Sequence, residues 1–537
     1  MSSCRLLRPA ILAPAVWILL PATVSAAEGP ASGDASVPLF YLLAWLMPLG
    51  VTLVSAGVGG RSSTRRIALS LPLALAATLV AYSLCGFAFQ YGGIGRVIDD
   101  RTLAGLTAEW SPPDAGADWG LVGLRGFFFS AGRATPRELA LFVAELALVT
   151  TAALIPLTTL AGRVRPLRAT ALALMVAGIT YPLAGNWVRG GGWLAHLGAL
   201  FQMGHGMVDY GPAMPHLVGA CAALAGLLVC RTEVSVPETE PDLPPVHMPL
   251  GTLGGAMLTL VGWFAVLTAQ PSMPVPADVT RLLLNALWAV TGAVLASFLY
   301  GWLARGEPDL GLAGRGMVAA MVAAGAGLAF YSEWVALLVG MLCGLLLAPA
   351  MYLVEHLLGL DDHGAVVTVH GGSAVVGLLA VGLLADGSHG LGWNAAASAD
   401  PAAWSRGVTG VLTSPSWGLG QLLAQSTGVG AVVLLSLALP WAMLSLTRGA
   451  VALPRAARQR ARAGIARWRE AHERAQTAPR RPPRPDLLQQ AHAALLRSAA
   501  APDRRLRRRP RVGASRGAEV RYALPSRTRR RPRVARR

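Results

Sequence analysis

Lysine is absent from this sequence, since all 46 of its lysine-or-arginine positions are arginine. Charge of either sign is scarce: only 14% of the 537 residues are charged, whereas 54% are hydrophobic and 61 are glycine. A soluble domain of this size needs far more charged surface. The composition therefore excludes a soluble globular protein and indicates a chain that crosses a membrane several times.

Cysteine is also scarce, and the motifs of common enzyme sites are missing. The five cysteines lack the spacing of a metal site, and small core residues are the simpler interpretation: Cys4, Cys85, Cys221, Cys230 and Cys343. The sequence has no phosphate-binding loop, nucleophile elbow or Cys/His zinc pattern in a suitable context. The stretch "GGIGRVIDD" at 92–100 lacks the strand and helix that a nucleotide site requires. We therefore predict no enzyme, no metal and no cofactor.

The first 26 residues predict a cleavable signal peptide. They contain arginines, a short apolar run and a small-residue cleavage site at Val24-Ser25-Ala26, which is the pattern of secreted and membrane proteins. The alternative is one more transmembrane helix, but the run is near the short end for spanning a bilayer core of about 30 Å.

Eleven apolar segments follow the predicted signal, each about as long as a spanning helix needs. They lie at 38–60, 67–90, 138–161, 168–187, 207–230, 249–270, 279–303, 315–331, 333–354, 365–385 and 426–448. The sequence therefore predicts an all-α membrane protein with eleven transmembrane helices in a channel domain over 38–450. The long links 91–137 and 386–425 are read as solvated loops without chemistry.

Arginine placement predicts the orientation. The short links "GGRSSTRR" at 59–66 and "GRVRPLR" at 162–168 are basic, and basic short links mark the cytoplasmic side. The N-terminus of the mature chain is then outside and the C-terminus inside. We predict a multi-pass protein of the bacterial inner (cell) membrane.

Residues 451–537 form a strongly basic tail, with 26 arginines against five acidic residues. Such composition predicts a largely disordered cytoplasmic segment. Anionic lipid head groups would attract it at about 1 kcal/mol for each nearby arginine. Nucleic acid is an alternative partner, but nothing in the tail predicts specific recognition of bases.

Two apolar segments share an unusual arrangement of ionisable residues. His216 follows Asp209 by seven positions in "VDYGPAMPH", and His370 follows Asp362 by eight in "LDDHGAVVTVHG". In each case a Gly/Ala-rich helix follows, which favours close helix packing. The two copies are five segments apart, so they predict an inverted five-plus-five repeat with one final helix.

This repeat indicates a transport pathway. Inverted repeats commonly build such a path at the interface of the two halves, near the membrane midplane, and ionisable groups inside a membrane segment usually face a cavity. Two neutral imidazoles can share a hydrogen bond in a dry pore and relay a proton. The obstacle is that His216 lies near the outer end of its segment and His370 near the inner end, so both mouths must be recessed.

These residues resemble those of the ammonium transporter and Rhesus (Amt/Rh) family. The resemblance spans roughly 38 to 450 and rests on "YPLAGNWVRGGGWLAHLGAL" at 181–200, "VDYGPAMPH" at 208–216, "GWF" at 262–264 and "LDDHGAVVTVHG" at 360–371. It implies eleven helices, a homotrimer, a pore lined by His216 and His370, and Trp263 and Phe264 as pore-lining or packing residues. It also places Asp209 near the outer mouth, where a structural role as a helix cap is the favoured alternative.

The chain departs from the family pattern mainly at the outer mouth. By the resemblance, Arg189 replaces a tryptophan, Leu148 and Val266 replace paired phenylalanines, and Gln270 replaces a serine, while Trp187 and Trp193 lie nearby. Several sources of cation–π attraction, worth about 0.5–2 kcal/mol, are therefore lost. Glu145 replaces a glutamine and is expected to pair with Arg189, unless it pairs elsewhere or the ungapped alignment of the third segment is off by a turn. Ala365 and "VALPRAARQRAR" also replace regulatory elements, which argues against a PII-type regulator.

The sequence therefore predicts a membrane channel or transporter that moves ammonium or ammonia through a twin-histidine pore. The altered mouth favours the uncharged gas over charge-selective uptake. The alternative is a transport-impaired homologue that acts as a sensor or regulatory membrane protein, with the basic tail as its output.

Overall fold

The computed structural model describes residues 37–58, 61–113, 119–201, 205–230, 247–272, 278–362, 364–394 and 405–450, together with residues 492, 494 and 496. The predicted signal peptide at 1–26 lies outside the described residues. So does the basic tail at 451–537, apart from those last three positions.

The described chain is mostly helical. Nine of its helices are long and apolar enough to cross a membrane, and two more are apolar but shorter. In chain order these helices are α1 (Val37–Val58), α2 (Thr64–Arg96), α3 (Pro136–Thr159), α4 (Pro166–Arg189), α5 (Ala213–Val229), α6 (His247–Thr268), α7 (Val279–Arg305), α8 (Leu310–Gly325), α9 (Glu333–Leu357), α10 (Val367–Leu384) and α11 (Pro415–Ala450). The all-α membrane class is confirmed. Because α5 and α8 are shorter than a full crossing needs, the count of eleven spans stays a prediction.

Several helices contain a π-helical turn or a short break. The π turns lie at Tyr82–Gly86 in α2, Val176–Thr180 in α4, Leu353–Leu357 in α9 and Val367–Gly372 in α10. Outside the apolar helices there are a helix at Leu197–Phe201, 3-10 turns at Arg101–Leu103 and Leu328–Phe330, and a two-stranded antiparallel sheet of β1 (Glu109–Trp110) and β2 (Val122–Gly123).

Local sequence signals account for where helices begin. Thr135 and Glu138 form a capping box at the start of α3, with Pro136 in its first turn. Asp278 accepts hydrogen bonds from two backbone N–H groups at the start of α7. These arrangements satisfy donors that the first turn of a helix leaves free. The helices therefore begin where side-chain acceptors are available.

Several predicted boundaries are wrong: α8 spans Leu310–Gly325 instead of 315–331, α2 runs to Arg96 instead of 90, and the starts of α11 and α5 are displaced. Helix α11 begins at Pro415, eleven residues before the predicted segment, so the end of the predicted loop 386–425 is helical. Helix α5 begins at Ala213, six residues after its predicted start, because residues 205–210 are not helical. For α11 and α5 hydropathy misled the prediction. The first turns of α11 contain glycine and glutamine, whereas the non-helical chain before α5 is apolar.

The same helix pairs form in both halves of the bundle. In the first half α2 packs on α4 and α3 on α5; in the second half α7 packs on α9 and α8 on α10. The first helices of the two halves, α1 and α6, also pack on each other, and α11 lies against both α5 and α10. The five-helix spacing of these pairs agrees with an internal repeat. It brings α5 and α10 together at the centre.

Candidate functional site

His216 and His370 meet at the contact between α5 and α10. Their Nδ1 atoms are 2.9 Å apart, within hydrogen-bond distance. The two rings are nearly parallel, with centroids 4.8 Å apart and planes inclined by 15°. His216 is completely buried and His370 is 4% exposed. The predicted pair of histidines is therefore one buried, hydrogen-bonded unit.

The N-terminal turns of α5 and α10 bring the pair together. His216 is the fourth residue of α5, and His370 is the fourth residue of α10. Because the two side chains touch, both helices begin next to the same point inside the bundle. The chain that precedes each helix must therefore span the remaining depth of the bundle. The two histidines can then meet, although His216 lies near the outer end of its apolar segment and His370 near the inner end.

A glycine beside His370 permits this close approach. A Cβ atom built on Gly371 would lie 2.9 Å from the Cβ of Ala220 in α5. Real side chains essentially never approach so closely, and an alanine Cβ cannot rotate away. The absence of a side chain at Gly371 therefore lets α5 and α10 approach closely enough for their histidines to bond.

The non-helical chain before α5 is buried, and its backbone groups are satisfied by other helices and loops. Gly206 N–H donates to Asn394, at 3.1 Å, and Gly206 C=O accepts from Gln421, at 2.9 Å. Val208 bonds Gln425 with both backbone groups, at 2.7 and 2.8 Å. Non-helical backbone inside a membrane protein is tolerated only when it is satisfied in this way. The glutamines of α11 thus hold the chain that positions His216.

Aspartates stand before both histidine helices. Asp209 accepts a hydrogen bond from Met214 N–H at 3.1 Å. Asp362 accepts from Val366 and Val367 N–H, at 3.0 and 2.8 Å. Both aspartates are 1% exposed. Each carboxylate therefore satisfies backbone donors at the start of the helix that carries a histidine.

The sequence predicts a direct pair between Glu145 and Arg189. In the structure a tyrosine connects the two residues instead. The Tyr181 hydroxyl donates to Glu145 Oε2 at 2.7 Å and accepts from Arg189 Nη2 at 3.2 Å. The Tyr91 hydroxyl donates to Glu145 Oε1 at 2.7 Å. Glu145 is fully buried and Arg189 is 7% exposed. The pair therefore forms a buried chain of hydrogen bonds between α2, α3 and α4.

The remaining predicted site residues lie on or next to α3, α4 and α6. Trp263 is fully buried, and a Cβ on Gly325 would lie 2.6 Å from its ring. Trp187 donates to Leu121 C=O at 3.0 Å and meets the edge of the Trp193 ring. The others are either buried or partly buried: Leu148, Val266, Phe264 and Gln270.

A family model decides the affiliation of the chain. The Ammonium Transporter Family model matches residues 36–471, which is most of the sequence and includes both histidines. The chain belongs to this family. The family is one of membrane transporters and not of enzymes.

Known family members share limited sequence with this chain. It is 28% identical to ammonium transporter Amt2 of Archaeoglobus fulgidus over 282 residues, or 51% of this chain and 60% of that protein. It is 23% identical to an ammonium transporter of Bacillus subtilis over 359 residues, or 66% of this chain and 80% of that protein.

Solved structures support the same fold. A protein described as a sensor Amt protein has a TM-score of 0.61 at 21% identity, over 78% of this chain and 92% of that chain. Candida albicans Mep2 has a TM-score of 0.56 at 17% identity, over 78% and 87% of the two chains. At these identities the similarity concerns the fold alone.

Several residues of this family member were missed by sequence reasoning. Tyr181 stood inside a quoted motif but carries no charge, and Tyr91 stood at the edge of a predicted loop. Gln421 and Gln425 fell in the predicted loop before α11. Two glutamines spaced four residues apart in front of an apolar run are the signal that could have revealed a polar face on this helix.

Proposed function

We propose that this chain moves ammonium or ammonia across the cell membrane along a pathway past His216 and His370. The observation that carries the proposal is the buried hydrogen bond, 2.9 Å long, between imidazoles from two different halves of the chain. Structural reasons alone rarely place two histidines in contact at an apolar helix crossing. Family membership supports ammonium or ammonia as the substrate.

The pair offers both a donor and an acceptor to a small neutral solute. When both rings are neutral, one Nδ1 carries the shared proton and the other accepts it. The donor ring then has a bare Nε2, and the acceptor ring has an Nε2–H. Among the described residues Nε2 of His216 has no hydrogen-bond partner. It is therefore available to ammonia, which can accept and donate in turn.

Solvation favours the uncharged species at this point. Moving an unpaired ammonium-sized ion into apolar surroundings costs tens of kcal/mol by idealised Born estimates. Ammonia avoids most of this cost, and its proton can be held or relayed by the imidazoles. The outer mouth reinforces this preference, because Leu148 and Val266 are aliphatic and provide no cation–π attraction. We assign Asp209, Arg189, Glu145, Gln270 and Trp187 to this mouth.

The proposed setting is the bacterial inner membrane, with the N-terminus outside and the C-terminus in the cytoplasm. The basic short links at 59–66 and 162–168 support this orientation. A homotrimer is the proposed assembly, from the family resemblance. The +21 balance of residues 451–537 supports attraction to anionic lipid head groups on the cytoplasmic side.

Proteoliposomes test the proposed function. We expect the full chain to take up labelled methylammonium, or to speed the internal pH change after an ammonia gradient is applied. His370→Ala should lower the flux to that of protein-free vesicles. His389→Ala is the matched control, because that histidine lies in an outer loop with 44% of its side chain exposed.

The same experiment separates transport from sensing. If neither the full chain nor His370→Ala conducts above protein-free vesicles, the transport proposal is wrong and the sensor alternative is supported. If His370→Ala conducts as well as the native chain, the pathway does not pass the histidines.

A further inference from the structure

Arg189 lies at the end of α4, buried and linked to the carboxylate of Glu145. Its Nη2 reaches Glu145 through the Tyr181 hydroxyl. Both ionisable side chains are at least nine-tenths buried. They form one buried pair of charges joined by Tyr181, which we call the outer charge cluster: Glu145 and Arg189.

The direction of the hydrogen bonds shows how the cluster is arranged. A tyrosine hydroxyl has a single proton, and Tyr181 uses it toward Glu145, so its oxygen accepts from Arg189. Glu145 receives a second hydrogen bond from Tyr91. Glu145 thus accepts two hydrogen bonds, as a carboxylate does. Tyr181 couples the positive and the negative group without a direct contact between them.

The cluster also has unused hydrogen-bonding capacity. Among the described residues, Nε and Nη1 of Arg189 are buried without a hydrogen-bond partner. A buried charged group is retained only when it is compensated. Removal of Arg189 would leave the buried carboxylate of Glu145 without its counter-ion.

We propose that Arg189 is a tethered counter-ion that fills a site for a monovalent nitrogen cation at the outer end of α4, beside Tyr181 and the carboxylate of Glu145. The site would accept guanidinium, ammonium or methylammonium if the arginine side chain were removed. The native chain keeps this site permanently occupied. Resting on the proposed function, we infer in addition that Arg189 closes this site to a cation at the entrance, which therefore passes on the uncharged species.

Chemical rescue tests the site. Arg189→Ala should lower the unfolding temperature of the purified chain in detergent by roughly 5 °C or more, because it leaves buried charge uncompensated. Millimolar guanidinium or methylammonium should restore part of this loss, whereas choline at the same ionic strength should not. Arg133→Ala is the control, because Arg133 is an exposed residue and should show neither effect.

A second variant removes one negative charge. Arg189→Gln/Glu145→Gln should be more stable than Arg189→Gln alone, and nitrogen cations should rescue it less. If Arg189→Ala cannot be purified, the yields of folded protein from the single and the double variant test the proposal instead. Equal stability of the single and double variants, or equal rescue by choline, would overturn the proposal.

These readouts are independent of transport. If the native chain fails to conduct but Arg189→Ala is rescued by nitrogen cations, the proposed function fails and the tethered counter-ion stands. If the native chain conducts past His370 but nitrogen cations do not rescue Arg189→Ala, the proposed function stands and the tethered counter-ion fails. In the conducting case, Arg189→Ala should also acquire inhibition of ammonia flux by guanidinium, which the native chain should not show.

Discussion

Gln425 in α11 holds both backbone groups of Val208, with its Oε1 accepting from the N–H at 2.7 Å and its Nε2 donating to the C=O at 2.8 Å. Nε2 also donates to Leu378 C=O in α10, at 2.8 Å. One side chain thus ties the chain before α5 to both α10 and α11. The position of His216 depends on a residue 209 positions later in the sequence.

Gln425→Ala should therefore destabilise the bundle strongly. Each buried backbone group left without a partner costs about 1–3 kcal/mol, and this substitution removes the partner of two of them, the N–H and C=O of Val208. We expect a loss of at least about 2 kcal/mol, measured by thermal or denaturant unfolding in detergent. Ser426→Ala is the matched control, because its exposed hydroxyl bonds only Leu422 of the same helix. Equal effects of the two substitutions would contradict this account.

The glycine beside His370 should be intolerant of a side chain. In Gly371→Ala the new Cβ would lie 2.9 Å from that of Ala220, so α5 and α10 must separate at a cost of about 1–3 kcal/mol. We expect reduced ammonia flux in proteoliposomes from a chain that still folds.

Gly372→Ala offers a neighbouring control for this effect. At that position the nearest atom to a Cβ is 4.0 Å away, which is ordinary contact. Its flux should remain close to that of the native chain. If both alanine variants conduct equally, the close approach of α5 and α10 does not set the geometry of the histidine pair.

The adjacent aspartates before α10 should differ in importance. Asp362 is buried and accepts from two backbone N–H groups, so Asp362→Ala should cost about 1–2 kcal/mol. Asp361 is exposed and forms an ion pair with Arg163 at 3.2 Å, which is worth about 0–1 kcal/mol. Unfolding of Asp361→Ala and Asp362→Ala under identical conditions checks this order, and the reverse order would refute it.

The loop between α10 and α11 should contribute stability that depends on pH. Burial raises the pKa of Asp386, but hydrogen bonds from Ser388 and the charge and hydrogen bond of His389 outweigh it, so its pKa lies below the ordinary 3.8. A lowered carboxyl pKa adds stability that is present above the unfolded-state value and is lost as the pH falls through the folded-state value.

The stability difference between the native chain and Asp386→Asn should therefore be full near neutral pH and should shrink as the pH falls below 3.8. Unfolding midpoints of the two proteins across this range measure the effect. Ser388→Ala, which removes one hydrogen bond to Asp386, should reduce the pH dependence in part. A difference that stays constant on acidification would rule out this interpretation.

The sequence determined the class of protein and the identity of its central residues. Hydrophobic runs fixed the number and approximate positions of the apolar segments, because burial in lipid requires them locally along the chain. Repetition of an acid, a histidine and a small-residue helix singled out His216 and His370. Membership in the family was predicted from motifs near the same residues.

Tertiary structure decided how these residues are arranged. The two histidines meet across 154 positions of the chain, and their contact depends on where α5 and α10 begin inside the bundle. The link from Glu145 to Arg189 runs through Tyr181, an uncharged residue that no pattern of charges could indicate. The acceptors and donors that hold Val208 belong to a glutamine in α11. Hydropathy follows the burial of each segment, whereas hydrogen bonds between distant segments depend on packing that only the folded chain defines.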